Sequence, residues 1–222
     1  MICRRPSSNR LRARGTSTGK GRAGEADVYE SLRPRVHTLS PSAHEPVLCP
    51  FAPSPEARVL DIGGTAQTWS SESEGDGQFS VTLSNIRGNG PMNGGRFTSV
   101  AGDATALPFA DNALDLAFSN SVIEHMGTWE KQQAFAREAR RVAHNLWIQT
   151  PARSFPIEAH LLAPYNQYLP KNVQHSIVRW MPRGLLTPDV IHEIVDEVRL
   201  LTYREVKHLF PDCRILRERL FG

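Results

Sequence analysis

One stretch, Gly102 to Gly127 (GDATALPFADNALDLAFSNSVIEHMG), limits the folds open to this chain more than any other. Leu114, Leu116 and Phe118 alternate with Asp115, Ala117 and Ser119, yet the run as a whole is apolar enough for a strand covered on both faces. It stops abruptly at Ser119, Asn120 and Ser121. A polar cluster at the carboxyl end of a parallel strand is where open α/β sheets hold their ligands. Ahead of the strand, Gly102, Asp103 and Ala104 read as a loop carrying an acid, and Pro108 to Asn112 as a turn.

A second stretch lies upstream. Arg58 to Thr65, RVLDIGGT, is a short aliphatic strand ending in Asp61 and a Gly63-Gly64 turn, where the backbone can approach a ligand that a Cβ would block. About 20 residues on, in the spacing of nucleotide-binding units, a second strand-like run (Phe79, Val81, Leu83) leads to Asn85, placed for ribose hydroxyls. Phe97 to Val100 is the third strand and feeds Gly102 and Asp103.

In this order, strand-Gly-Gly, strand-Asn, Gly-Asp-Ala and strand-Ser-Asn-Ser, the chain resembles the class I S-adenosylmethionine-dependent methyltransferases. The likeness is to their small-molecule, type 11-like branch and covers roughly Arg58 to Leu220. It implies a doubly wound, mostly parallel Rossmann-like α/β sheet and S-adenosyl-L-methionine as cofactor. By resemblance, Asp61, Gly63, Gly64 and Thr65 face the methionine end, Asn85 the ribose, and Asp103 with Ala104 the adenine; Asn120 and Ser121 line the mouth. The third glycine of the family turn falls among Thr65, Ala66 and Gln67, and Asn85 stands where an acid is common. A neutral amide still hydrogen-bonds a diol, more weakly than a carboxylate.

Catalytic residues are less legible, because methyl transfer from a sulfonium mainly requires alignment and exclusion of water. A base is needed only if the acceptor loses its proton as it attacks. His125 and His160 are the candidates; each has a packed or solvated role as the plainer reading. Ser121 and Glu124 have capping-box spacing, which makes Glu124 structural. Lys171, His175, Arg179 and Arg183 repeat every four residues on one helical face, either solvated or turned to an acidic acceptor. Two rivals stay open: a non-catalytic S-adenosylmethionine-binding or regulatory protein, and a dinucleotide-dependent oxidoreductase, which the absence of G-x-G-x-x-G disfavours.

Charge bears on partners. Residues 1–22 hold seven of the 26 Lys and Arg and no acid, so the remainder has 19 basic against 23 acidic residues. A body of that balance is a poor polyanion binder, so no nucleic acid is expected for it, and the resemblance implies a small-molecule acceptor. No apolar run is long enough to span a membrane. Cys3, Cys49 and Cys213 have neither metal nor disulfide spacing, which suits a reducing cytoplasm and predicts no metal site.

Residues 1–26 read as a disordered basic tail and 27–57 as a proline-rich lead-in with a short helix over Val28 to Val36. The domain is expected over 58–222, with only a short helix after the Gly-Gly turn and a helix from about Thr128 to His144. Leu146 to Gln149 is the fifth strand. An insertion over about 151–186 follows, holding Glu158, His160, Tyr165 and an amphipathic helix over Asn172 to Met181, and resemblance implies an acceptor lid. Thr187-Pro188-Asp189 starts a helix, and Thr202 with Glu205 forms a capping box. Cys213 to Leu220 is the sixth strand, so the sheet is expected to lack the family's last antiparallel strand and to present an unpaired edge.

Overall fold

The computed structural model describes residues 2–4, 56–72, 79–88, 95–156, 165–180 and 193–217. Its strands are β1 (Ile2–Arg4), β2 (Arg58–Ile62), β3 (Ser80–Asn85), β4 (Phe97–Ala101), β5 (Leu114–Asn120), β6 (Ala143–Gln149) and β7 (Arg214–Leu216). Three α-helices accompany them, α1 (Trp129–Val142), α2 (Lys171–Trp180) and α3 (Tyr203–Leu209). The sheet order is β4-β3-β2-β5-β6-β1-β7. Strands β2 to β6 are mutually parallel, with Leu60 of β2 level with Thr82 of β3 and Ala117 of β5. From β2 the chain builds outward through β3 and β4, then returns to build β5 and β6 on the other side. That reversal opens a crevice at the carboxyl ends of β2 and β5.

At the far edge the chain solves the missing-strand problem in an unexpected way. No strand follows β7 among the described residues, yet the place between β6 and β7 is filled. Ile2–Arg4 runs antiparallel to both, with Cys3 opposite Ile148 on one side and Ile215 on the other. These three residues fell within the tail predicted to be disordered; as a strand they correct that reading. The driving force is the open edge of β6, whose buried polar backbone groups would otherwise lack partners. The predicted helix over Val28 to Val36 lies outside the described residues.

Each face of the sheet carries its own core. On one, Leu60, Ile62, Leu114, Ala117, Leu146 and Ile148 pack with Phe135, Ala136, Ala139 and Val142 of α1 and with Leu201, Val206 and Leu209. On the other, Val59, Val81, Leu83, Leu116, Phe118 and Trp147 meet Trp69 and Phe79. Strand β5 thus gives alternate residues to both cores, as its doubly buried pattern requires. Helix α1 starts at Thr128, whose hydroxyl accepts from the Lys131 amide at 3.3 Å.

The predicted capping box forms at α3: the Glu205 carboxylate accepts from the Thr202 amide, and the Thr202 hydroxyl from the Glu205 amide. The basic stripe on α2 is not simply solvated. Lys171 Nζ donates to the Val195 carbonyl, and His175 Nε2 lies 3.1 Å from Asp196 Oδ1, so this face docks on the single π-helical turn Glu193–Glu197. Glu158, His160, Arg183 and the helix start at Thr187 lie outside the described residues.

Candidate functional site

The crevice is built from the turn after β2. Gly63 has φ +78°, a left-handed conformation, and its amide donates to the Ser84 carbonyl at 2.8 Å. A Cβ there would fall 2.6 Å from Val122 Cγ2. At Gly64 a Cβ would land 1.8 Å from Asp61 Oδ2, because the Asp61 side chain folds back over the turn. Both positions exclude any side chain, for different reasons: backbone conformation and Val122 at the first, the carboxylate at the second.

Asp61 is buried, 1% exposed, and its Oδ2 accepts from Trp69 Nε1 at 2.7 Å. Its Oδ1 has no hydrogen-bond partner. Burial pushes its carboxyl up from 3.8 to about 7, against the opposing pull of the Trp69 N–H. Trp69 sits on the 3-10 helix Ala66–Glu72, the short helix expected after the turn. Its ring is edge-on to Phe79 and Phe118, with centroids at 6.0 and 5.1 Å. Sequence reasoning missed this residue. The available signal was a lone tryptophan in a polar stretch eight residues after Asp61, on a segment too short to cover a sheet face otherwise.

Asn85 closes the crevice from β3. Its Nδ2 donates to the Gly64 carbonyl at 2.8 Å, and its own carbonyl accepts from the Gly88 and Gly102 amides. This explains the amide where the family often has an acid: a carboxylate has no proton to give Gly64. Asp103 is exposed, and its Oδ1 accepts from both the Thr105 amide and hydroxyl at 2.8 Å. Those two bonds hold its carboxyl below the ordinary aspartate range. The loop beyond it is clamped by α1: Arg141 donates to the Leu107 and Phe109 carbonyls and to Asp111, while Glu138 accepts from the Leu107 amide.

Asn120 and Ser121 stand at the end of β5, with Ser121 Oγ donating to Asn120 Oδ1 at 3.3 Å. Ser121 has φ +55°, and its amide donates to the Gln149 carbonyl. The capping box expected from Ser121 and Glu124 therefore does not form. The short 3-10 turn Ile123–Met126 begins one residue later than that box requires, after Val122, with no side-chain cap. Glu124 is structural by another route: it is fully buried, and its Oε2 accepts from Thr150 Oγ1 at 2.8 Å. His125 lies half-buried in the same turn. A second missed residue is Gln132, fully buried on α1, whose amide donates to the Ile123 and Arg199 carbonyls and accepts from Arg199 Nη1 at 2.6 Å.

Gly63, Gly64 and Asn85 are thus joined at the ends of β2 and β3, Gly102 is bonded to Asn85, and Val122, two residues after Asn120, covers Gly63. Thr65 and Ala104 are half-buried. His160 lies outside the described residues. One feature fits a cofactor with an α-amino group, the orphan acceptor on Asp61, which folds over the Gly63-Gly64 turn. No cluster of metal-ligating side chains occurs among the described residues. No described helix is long and apolar enough to cross a membrane.

Residues 79–145 match the model of the family described as "Methyltransferase domain", a segment running from β3 into β6. No curated protein matches the chain. Among solved structures, the [4+2]-cyclase SpnF is 20% identical, with 45% of this chain and 39% of that one covered and a TM-score of 0.36; the chain therefore spans about two fifths of its length. A S-adenosylmethionine-dependent methyltransferase from Methanosarcina mazei is 16% identical, over 75% of this chain and 82% of its own, at 0.46. A Rhodobacter sphaeroides protein provisionally described as a Zn-dependent alcohol dehydrogenase is 13% identical, over 77% of both chains, at 0.51. At such identity the likeness is one of fold alone. By its strand order this chain carries a doubly wound, mostly parallel Rossmann-like α/β sheet, and its central segment matches the methyltransferase-domain model.

Proposed function

We propose that the chain transfers a methyl group from S-adenosylmethionine to a small-molecule acceptor, with the crevice at the ends of β2, β3 and β5 as the cofactor site. The observation that carries this is the Gly63-Gly64 turn: two positions closed to any side chain, beside a buried carboxylate whose Oδ1 lacks a donor. Asp61 would receive the cofactor's ammonium, and Asn85 and Asp103 would flank the adenosine, with Ala104 leaving room for the ring. Asn120, Ser121 and Thr65 would line the mouth.

The cofactor supplies an activated methyl on a sulfonium. An acceptor that must lose its proton on methylation would give it to a base of this chain or to water. This chain's residues orient and exclude water, contributions that supply much of such a barrier reduction. Glu124 is committed to Thr150, so His125, half-buried in the same turn, is the candidate to take a proton. Calorimetric titration with S-adenosylhomocysteine and with NAD tests the reading. Saturable binding of the first and none of the second supports it; the reverse overturns it. Tight cofactor binding with no methyl consumed across an acceptor panel would favour a regulatory binder instead.

A further inference from the structure

A cavity of about 240 Å³ lies beyond the carboxyl end of β6, between the segment after β6, the start of α2 and residues 198–200. Among the described residues its polar lining consists of Arg153, Lys171, Arg199, Asn166, Gln167 and Gln174, with no aspartate or glutamate. From this lining we infer that the cavity seats an oxyanion, a carboxylate or phosphate group carried by the acceptor. The inference rests on the methyl-transfer reading above and names the acceptor's chemical class.

The three cations are not equivalent. Arg199 is spent: it pairs with Glu205, donates to Gln132 Oε1 and lies over the Trp129 ring. Arg153 and Lys171 have no carboxylate partner among the described residues. Arg153 is held in place all the same. Its carbonyl accepts from Tyr168 Oη at 2.7 Å and from Gln167 Nε2, and its guanidinium lies 5.8 Å from the Tyr168 ring centre. A guanidinium fork with no carboxylate partner among the described residues is the side chain best matched to a two-oxygen anion.

Other features favour negative charge at the same place. The ten-residue helix α2 begins at Lys171, so the positive end of its dipole is at the lining. The cavity's size suits a small head group rather than a polymer. It is also tied to the cofactor side. The Arg199 amide donates to the Glu124 carbonyl at 2.8 Å, and Gln132 bridges Ile123 to Arg199, so one hydrogen-bonded set joins the wall of the cavity to the turn that carries His125.

The test is calorimetry on the full chain with inorganic phosphate and with malonate, each with and without saturating S-adenosylhomocysteine. We expect saturable binding of at least one anion, about ten-fold or more weaker in Arg153→Met. S-adenosylhomocysteine affinity should change less than about two-fold in that variant. Lys171→Met, which leaves the Arg153 anchor untouched, serves as the second variant and should weaken the same anion. The arm that saturates distinguishes a phosphate-bearing from a carboxylate-bearing acceptor. No saturable anion binding, or equal binding in wild type and both variants, overturns the inference while leaving the methyltransferase reading standing. Loss of S-adenosylhomocysteine binding by the unaltered chain would strike that reading instead.

Discussion

If Asp61 receives the cofactor's ammonium, its own titration must control affinity. In the free chain its carboxyl sits at about 7, so it is half ionised near neutrality. Only the ionised form offers a charge partner, and an α-ammonium keeps its proton below about pH 7.7. The ionised fraction falls to about one hundredth near pH 5, so affinity for S-adenosylhomocysteine should rise about 50-fold from there to about pH 7, or about 2.3 kcal/mol. Asp61→Asn keeps an acceptor for Trp69 but cannot titrate, so its affinity should be weak and flat across that range. Stability without ligand must move oppositely. A carboxyl raised from 3.8 to about 7 favours the folded state at low pH and loses that contribution as pH rises through the folded value. The loss is about 4 kcal/mol at most, and it should be absent from Asp61→Asn when the two unfolding curves are compared pH by pH. Calorimetry gives the first quantity and urea unfolding the second. Wild-type affinity changing less than about three-fold between those pH values, or Asp61→Asn retaining the slope, would refute the reasoning.

Gly63→Ala should lose about 1–2 kcal/mol for the left-handed backbone alone, and more for the contact with Val122. In urea unfolding, adding Val122→Ala should recover only the steric share. Arg141→Met removes the donors to the Leu107 and Phe109 carbonyls and should cost about 2 kcal/mol. It should also weaken S-adenosylhomocysteine binding, since the freed loop carries Asp103. Cys3→Pro removes a backbone donor from a strand flanked on both sides and should cost about 3 kcal/mol, read as a lower melting temperature. An unchanged melting temperature would mean that β1 does not contribute to the sheet.

What the sequence revealed follows the range of the interactions involved. Strand β5 was legible because its burial on both faces leaves an unbroken apolar run, and the Thr202-Glu205 cap because it is complete within four residues. The same local spacing misled at Ser121 and Glu124. There the Ser121 amide extends the β5–β6 pairing to Gln149, and Glu124 finds Thr150 on the neighbouring strand instead. The Asn85 bond to Gly64 depends on β2 and β3 being adjacent, and the Trp69 bond to Asp61 on the short helix folding back over the turn, neither of which local spacing reveals. The docking of Lys171 and His175 on the turn at 193–197 likewise depends on a partner more than twenty residues away. Strand β1 was the least legible. It is three residues long, and composition averaged over a basic segment hides it.

That small strand also sets the order in which the domain can be completed. Ile2–Arg4 leaves the ribosome before either strand it pairs with, and β7 is made after all the parallel strands. Joining Cys3 to Ile148 closes a loop of 145 residues, an entropic cost of about 4 kcal/mol. The parallel strands β2 to β6 can therefore assemble during synthesis while the far margin waits, and a chain cut between β1 and β2 would be felt at the edge made by β6 and β7.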